Sequence, residues 1–363
     1  MKKTILMALV LAFILAVEVA NADFTFGEPV KVQASIPILE LAESPQCVSY
    51  DGLEMYFESD DRPGGYGVHD IWVLRRDSID EDWDSPVNLG PTVNGSGEVS
   101  CNPCISAGGL TLYFTSNRNR SGGHGDYDLY KTTRATQTSP WGQATNLGQQ
   151  VNSQHLDSWP WISADGLELY FHSLRPGGYG GFDIYVCKRA TANDPWGDAE
   201  NLGPVVNTSY NDCSPCLSPD GLLLFIQDYL SLRPGGHGGG DLWVSRRASL
   251  LDPWGEAANL GPVINGPTPE TGPRISPDGS TLYFCRASGG GIFPGWQASI
   301  DPVVDLNADG IVDSVDICFM VDFWGTDDPL CDIGPMPWGD GVVDVHDLIV
   351  LAEHLFEEIP PTQ

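Results

Sequence analysis

The chain has 363 residues, with 18 Lys and Arg against 49 Asp and Glu, for a net charge of −31 at pH 7. A surface so acidic repels phosphate backbones and anionic lipid, which disfavours nucleic-acid and membrane-surface partners. The charge fits an extracellular protein in a saline or calcium-containing medium.

The first predicted element is a secretory signal peptide. Met1-Lys2-Lys3 supplies a positive start, Ile5 to Val17 an apolar run, and Ala20-Asn21-Ala22 a cleavage pattern that places the cut before Asp23. The run is too short to span a bilayer comfortably, and no later segment approaches spanning length. Cleavage removes Lys2, Lys3 and Glu18, leaving 16 basic and 48 acidic residues and a net charge of −32. All nine cysteines remain, an odd number for an exported chain, so at least one is unpaired within it.

Residues 24 to 300 are one motif written about five times. A turn leads into an alternating strand at Ser49-Tyr50-Asp51-Gly52 to Phe57, Ser106 to Phe114, and Ser163-Ala164-Asp165-Gly166 to Phe171. It returns at Ser218-Pro219-Asp220-Gly221 to Phe225 and at Ser276-Pro277-Asp278-Gly279 to Phe284, so the closing aromatics are spaced by 57, 57, 54 and 59 residues. Glycine-rich loops follow in four copies and end at Asp70-Ile71-Trp72, Asp128-Leu129-Tyr130, Asp183-Ile184-Tyr185 and Asp241-Leu242-Trp243. Each then reaches Trp83, Trp141, Trp196 or Trp254, five residues before Asn-Leu-Gly.

Asp-Gly between two apolar runs is a hairpin signal, and each unit reads as four short strands. Such units at a fixed period predict an all-β, five-bladed β-propeller, because one blade cannot bury both faces until neighbours stack on it. The fifth copy lacks its last strand, while Phe26-Gly27-Glu28-Pro29-Val30 resembles Trp196-Gly197-Asp198-Ala199-Glu200 with no blade before it. The N-terminal strand is therefore expected to complete the last blade and close the ring. The Ser-Pro-Asp-Gly and Arg175-Pro176-Gly177-Gly178 phrases resemble the WD-repeat-like propeller repeats of the TolB-like group, over most of residues 44 to 296. That resemblance implies the fold and says little about activity.

Most polar repeats have a structural reading. Asp51, Asp165, Asp220 and Asp278 hold turns; Asp70, Asp128, Asp183 and Asp241 bond local amides; the periodic Trp set packs blades. Cys101-x-x-Cys104 and Cys213-x-x-Cys216 look like metal or redox motifs. Strand residues three apart lie about 10 Å apart, too far for one disulfide. Their shared repeat position favours a structural role, with a zinc site built from both pairs as the sharper alternative. Glu43, Glu98, Asp157, Asp212 and Glu270 precede the five first strands. If those strands line the axis, the acids ring one mouth of the channel as a ligand or cation site. The alternative is that they satisfy amides where the strands begin. Cys47, Cys104, Trp161, Cys216 and Arg274 sit just inside, and Trp161 and Arg274 break the symmetry where a ligand would be read.

The tail carries a 12-residue acidic loop from Asp305 to Asp316. Side-chain oxygens fall at positions 1, 3, 5, 9 and 12 (Asp305, Asn307, Asp309, Asp313, Asp316), with Gly310 at the sharp turn and Ile311 offering its carbonyl. That is an EF-hand-type calcium loop. Position 12 is Asp rather than Glu, no helix precedes the loop, and an apolar helix follows from Val315 through Phe323. A degenerate copy holds Asp340, Val342, Asp344 and Asp347 and leads into Leu348 to Phe356. Aligned on Asp340-Gly341, it puts Met336 and Trp338 at positions 1 and 3, and Asp332 substitutes only if residues 333–337 bulge outward. Cys318 and Cys331 flank the first helix in a place to staple it.

Two loop–helix copies over residues 301–357 resemble a type I dockerin. The resemblance implies a small α-helical calcium-binding domain with Ca2+ as cofactor and a cohesin-type domain or cell-surface assembly as partner. The chain thus divides into a signal peptide (1–22), a propeller (23–300), a dockerin-like domain (301–357) and a tail (358–363). Two function classes remain. One is a secreted propeller that binds a ligand such as a carbohydrate, or acts as a scaffold, in polysaccharide breakdown. The other is a glycoside hydrolase, since dockerins tether such enzymes and five-bladed propellers include arabinanase-type hydrolases. Glycosidases need two carboxylates about 5 to 9.5 Å apart. No catalytic pair stands out here, because nearly every carboxylate is a copy of its counterparts, and the sialidase Asp-box is absent. The binding class is favoured.

Overall fold

The Asp-Gly turns explain themselves at the level of single bonds. In the first, Asp51 accepts from the Ser49 hydroxyl at 2.6 Å and from the Leu53 amide at 3.1 Å. Gly52 takes φ +70°, where a side chain would be strained. The structure is a computed structural model that describes residues 24–32, 36, 45–60, 62–118, 125–229, 233–289, 293–307, 311–326, 331–334 and 342–357. The signal-peptide residues, Glu43, Asp309 and Asp340 lie outside the described residues.

The chain forms a five-bladed propeller of four-stranded antiparallel blades. Blade 1 runs Cys47–Val48, Glu54–Ser59, Asp70–Arg75, Val87–Asn88, and blade 2 runs Ser100–Ile105, Thr111–Ser116, Asp128–Thr133, Thr145–Asn146. Blade 3 is Asp157–Ile162, Glu168–Ser173, Asp183–Lys188, Glu200–Asn201, and blade 4 is Asp212–Leu217, Leu223–Asp228, Leu242–Arg246, Ala258–Asn259. Blade 5 takes Glu270–Ile275, Thr281–Arg286 and Gly295–Pro302 from the end of the repeats, and Val30–Lys31 from the start of the chain. Val30 pairs with Gln297 and Lys31 with Trp296, so the N-terminal strand closes the ring as expected.

One aromatic is shifted. The register places Phe225 opposite Cys216, as Tyr170 lies opposite Trp161 and Tyr283 opposite Arg274. Ile226 therefore fills the place of Phe57, Phe114, Phe171 and Phe284, and the true steps around it are 55 and 58 residues, from 171 to 226 and 226 to 284.

Blades are held together by one repeated contact. Arg76, Arg134, Arg189 and Arg247 lie over Trp83, Trp141, Trp196 and Trp254 at 4.2 to 4.5 Å. Trp141, Trp196 and Trp254 meet Tyr56, Tyr113 and Tyr170 of the preceding blade edge-on at 6.2 to 6.4 Å. The Trp set is inter-blade packing. Glu54 of blade 1 also takes Arg134 of blade 2 at 2.9 Å, and Glu168 of blade 3 takes Arg247 of blade 4 at 3.0 Å.

Residues 28–299 form one compact unit; a second combines residues 24–27 with the chain from Ile300. In the second unit, helix α1 (Ser314–Asp322) and helix α2 (Val345–Glu353) begin with identical capping boxes. Val312 exchanges two backbone bonds with Phe356 and Glu357, and Val343 exchanges two with Gly325 and Thr326. Each partner of one set stands 31 residues from its counterpart in the other, so the two loop–helix copies are related by an approximate two-fold. Val304, Leu306, Met320, Cys331, Ile333, Val350 and Leu351 fill the core between them. The expected staple is not formed. Cys318 is exposed, Cys331 is buried among these apolar groups, and none of the nine cysteines is in a disulfide.

Candidate functional site

Each inner strand of blades 2 to 5 carries a bulge. Register shifts between Cys101 and Cys104, Ser158 and Trp161, Cys213 and Cys216, and Thr271 and Arg274. Asn102, Trp159, Ser214 and Gly272 there have φ of +50° to +63°, and each precedes a proline that has no ladder hydrogen to give. The bulge turns one amide toward the preceding blade, where a side chain accepts it. Asn102 donates to Glu58 Oε2 at 2.9 Å, Trp159 to Thr115 Oγ1 at 3.0 Å, Ser214 to His172 Nδ1 at 3.1 Å, and Gly272 to Gln227 Oε1.

The cysteines serve this geometry. Cys47, Cys104 and Cys216 accept amides of the next blade from Ile105, Ile162 and Ile275 at 3.2 to 3.5 Å. Among the described residues no three His, Cys, Asp or Glu side chains gather into a metal-sized cluster, so the two Cys-x-x-Cys pairs do not build the zinc alternative.

Above the bulges the five blades enclose a cavity of about 420 Å³ on the axis. Its rim is one repeat position: the carbonyls of His69, Tyr127, Phe182 and Gly240 accept the opening amides of the next inner strands, from Ser100, Asp157, Asp212 and Glu270. His69, Tyr127, Phe182 and, in blade 5, Phe293 line the cavity, joined by Tyr229. Trp159 forms its floor, tilted against His172 with ring centroids 5.8 Å apart. Beneath, the buried Arg274 guanidinium lies 5.4 Å from Trp159 and 5.5 Å from Trp161. Its Nη1 donates to the Pro273 carbonyl at 2.8 Å, and its Nε has no partner. Burial pulls its pKa down, opposed by the Cys216, Cys104 and Cys47 thiols. Below that, only about 20 Å³ remains among Cys47, Cys104 and Trp161.

Glu58 is the sole carboxylate among the described residues lining the cavity. Burial pushes its pKa up, against the Asn102 amide and the nearby His69. Burial also pushes the His172 imidazole down to about 3, so it is neutral.

The expected ring of acids is corrected by this geometry. Asp157, Asp212 and Glu270 are fully buried and do not line the cavity. Asp157 takes Arg175 at 2.7 Å and the Ser153 hydroxyl at 2.8 Å; Asp212 takes Arg233 at 3.3 Å and the Thr208 hydroxyl at 2.9 Å. Glu270 takes Arg286 at 2.8 Å and the Gly266 amide at 3.0 Å, and Glu98 faces Arg118 at 3.7 Å. They anchor the turn before each inner strand and are neutralised by their own blade. Trp161 and Arg274 do lie on the axis, as expected, but below the floor. The groups that face the cavity were missed: Glu58, His172, Gln227, Trp159 and the rim aromatics. A signal existed, since equivalent columns read Glu, Thr, His, Gln and His, Tyr, Phe, Gly, Phe while their neighbours repeat.

In the tail, Asp316 is fully buried and accepts three amides, from Leu306 at 2.8 Å, Asn307 at 3.2 Å and Asp313 at 2.8 Å. Asp347, equally buried, accepts from Gly334 at 2.7 Å and Asp344 at 2.6 Å. Gly334 thus answers to Asn307, Ile333 to Leu306 and Asp332 to Asp305, which puts Asp332 rather than Met336 at the head of the second loop. Asp313 and Asp344 cap their helices, accepting from Val315 and His346 at 2.7 Å. Ile311 and Val342 precede the residues that bridge the two copies.

No family model matches the chain, and no curated protein matches it. Solved structures do. TolB from Acinetobacter baumannii is 16% identical at a TM-score of 0.43, over 70% of this chain and 53% of that one, so the chain spans little more than half its length. An alpha-L-arabinofuranosidase from Lactobacillus brevis is 15% identical at 0.46, over 75% and 94%. A thermostable family-43 glycoside hydrolase is 15% identical at 0.44, over 77% and 89%.

Proposed function

We propose that the protein is an exported, non-catalytic binding propeller whose axial cavity takes a sugar-sized ligand. The observation that carries this is a cavity of about 420 Å³ with five aromatic walls and one carboxylate among its described lining residues. Aromatic faces suit the C–H faces of sugar rings, and Glu58, Asn102, Gln227 and Ser158 offer hydroxyl partners. Hydrolysis of a glycosidic bond takes two carboxylates, and the described residues of this wall supply one.

In the same proposal the tail is a calcium-ordered dockerin-type module that moors the propeller to a cohesin-type domain or surface assembly. Two fully buried carboxylates, Asp316 and Asp347, have only backbone amides as partners among the described residues, which fits a site that a cation completes. Asp305, Asn307, Asp309, the Ile311 carbonyl, Asp313 and Asp316 would hold one ion. Asp332, Asp340, the Val342 carbonyl, Asp344 and Asp347 would hold the other. The ion would supply oxygen-coordinating positive charge and nothing chemical.

A glycan array read alongside a reducing-sugar assay tests the propeller. Binding without release is expected; appreciable release from any bound glycan hands the assignment to the hydrolase class.

A further inference from the structure

The sign of charge on the ligand is legible in the cavity wall. Four equivalent side chains, Glu58, Thr115, His172 and Gln227, perform one task, accepting the bulge amide of the next blade. Three do it while neutral. The clamp therefore needs no charge, and the carboxylate of Glu58 is surplus to the fold. Its Oε2 is taken by the Asn102 amide, and among the described residues Oε1 has no hydrogen bond. That oxygen is open to a donor in the cavity, and a cationic donor makes the strongest bond to a carboxylate.

The remaining surroundings point the same way. Tyr127, Trp159, Phe182, Tyr229 and Phe293 line the same space, and aromatic faces attract ammonium groups. The chain's net charge of −31 raises the local concentration of cations. His69 lines the same wall as Glu58. Arg274 is enclosed beneath Trp159 and does not line the cavity; its charge acts on Glu58 from below and leaves the cavity side open.

We infer that the sugar taken by this cavity carries a protonated amine, an amino sugar, with Glu58 as its counter-ion; this rests on the sugar reading above. The test is isothermal titration of the full chain at pH 7 with a free hexosamine, its N-acetyl derivative, the parent neutral hexose and tetramethylammonium chloride. The hexosamine is expected to bind at least tenfold more tightly than either neutral sugar. Glu58→Gln should bring the three sugars to parity, with folding kept because Gln227 already holds the equivalent amide in blade 4. Neutral sugars binding the native protein as tightly as the hexosamine overturn the amine and leave the sugar reading standing. Tetramethylammonium binding with no sugar bound overturns the sugar and keeps Glu58 as a cation site. If none of the four binds, both readings fall.

Discussion

His172 shows how one buried side chain sets a pH limit. Phe182 and Trp159 flank it at 4.8 and 5.8 Å, and its Nδ1 accepts the Ser214 amide, which only a neutral ring can do. In the native protein its pKa is pushed down to about 3, while an unfolded chain protonates near 6.5. The unfolded state therefore binds the extra proton below pH 6.5, and native stability falls as pH drops from there toward 3. His172→Gln keeps an acceptor and removes the titration. At pH 4 the variant should regain about 3 kcal/mol relative to its standing at neutral pH. Denaturant unfolding at pH 7 and pH 4 measures this, and an unaltered acid limb would show that the ring is not held neutral.

The helices of the tail depend on their first turns. Each is only nine residues long, too short to persist on propensity, and each opens with a buried Asp that gathers the loop amides. Replacing Asp316 with Ala strands the Leu306, Asn307 and Asp313 amides, at a cost of about 2 to 4 kcal/mol to that unit. Hydrogen exchange should rise across residues 305–322 while the blades keep their protection. Chelator should have the same local effect on native protein, and exchange that ignores chelator would remove calcium from the proposal. Blades 1–2 carry the buried pair Glu54–Arg134 and blades 3–4 the part-buried pair Glu168–Arg247, whereas the equivalent positions in blades 2, 4 and 5 are Thr111, Leu223 and Thr281. The joints between blades are thus alike in their Trp–Arg stacks and unlike in charge.

Ring closure belongs to the whole chain, because its last strand comes from its first residues. Deleting residues 24–31 removes the partner of Trp296 and Gln297 and leaves an open blade edge. The expected result is a lower midpoint of thermal unfolding together with self-association, measured by calorimetry and light scattering. A monomer of unchanged midpoint would mean that closure rests on side-chain packing between blades 5 and 1, where Tyr283 meets the cluster around Met55 and Trp72.

Blade number, strand order and the closing strand were legible in advance, because a repeat writes the same local turn chemistry many times. Asp-Gly turns, the Trp set and the amide-binding Asp residues are short-range arrangements that one strand and its neighbour settle between them. The acids Asp157, Asp212 and Glu270 misled because their partners, Arg175, Arg233 and Arg286, lie 16 to 21 residues away, and only the folded blade brings the pairs together. The cavity is further from reach still. Its walls come from all five blades, aimed by bulges that the prolines after Asn102, Trp159, Ser214 and Gly272 mark in the sequence without saying where they point. Local repetition specifies the scaffold, and the convergence of non-repeating side chains across the axis creates the site.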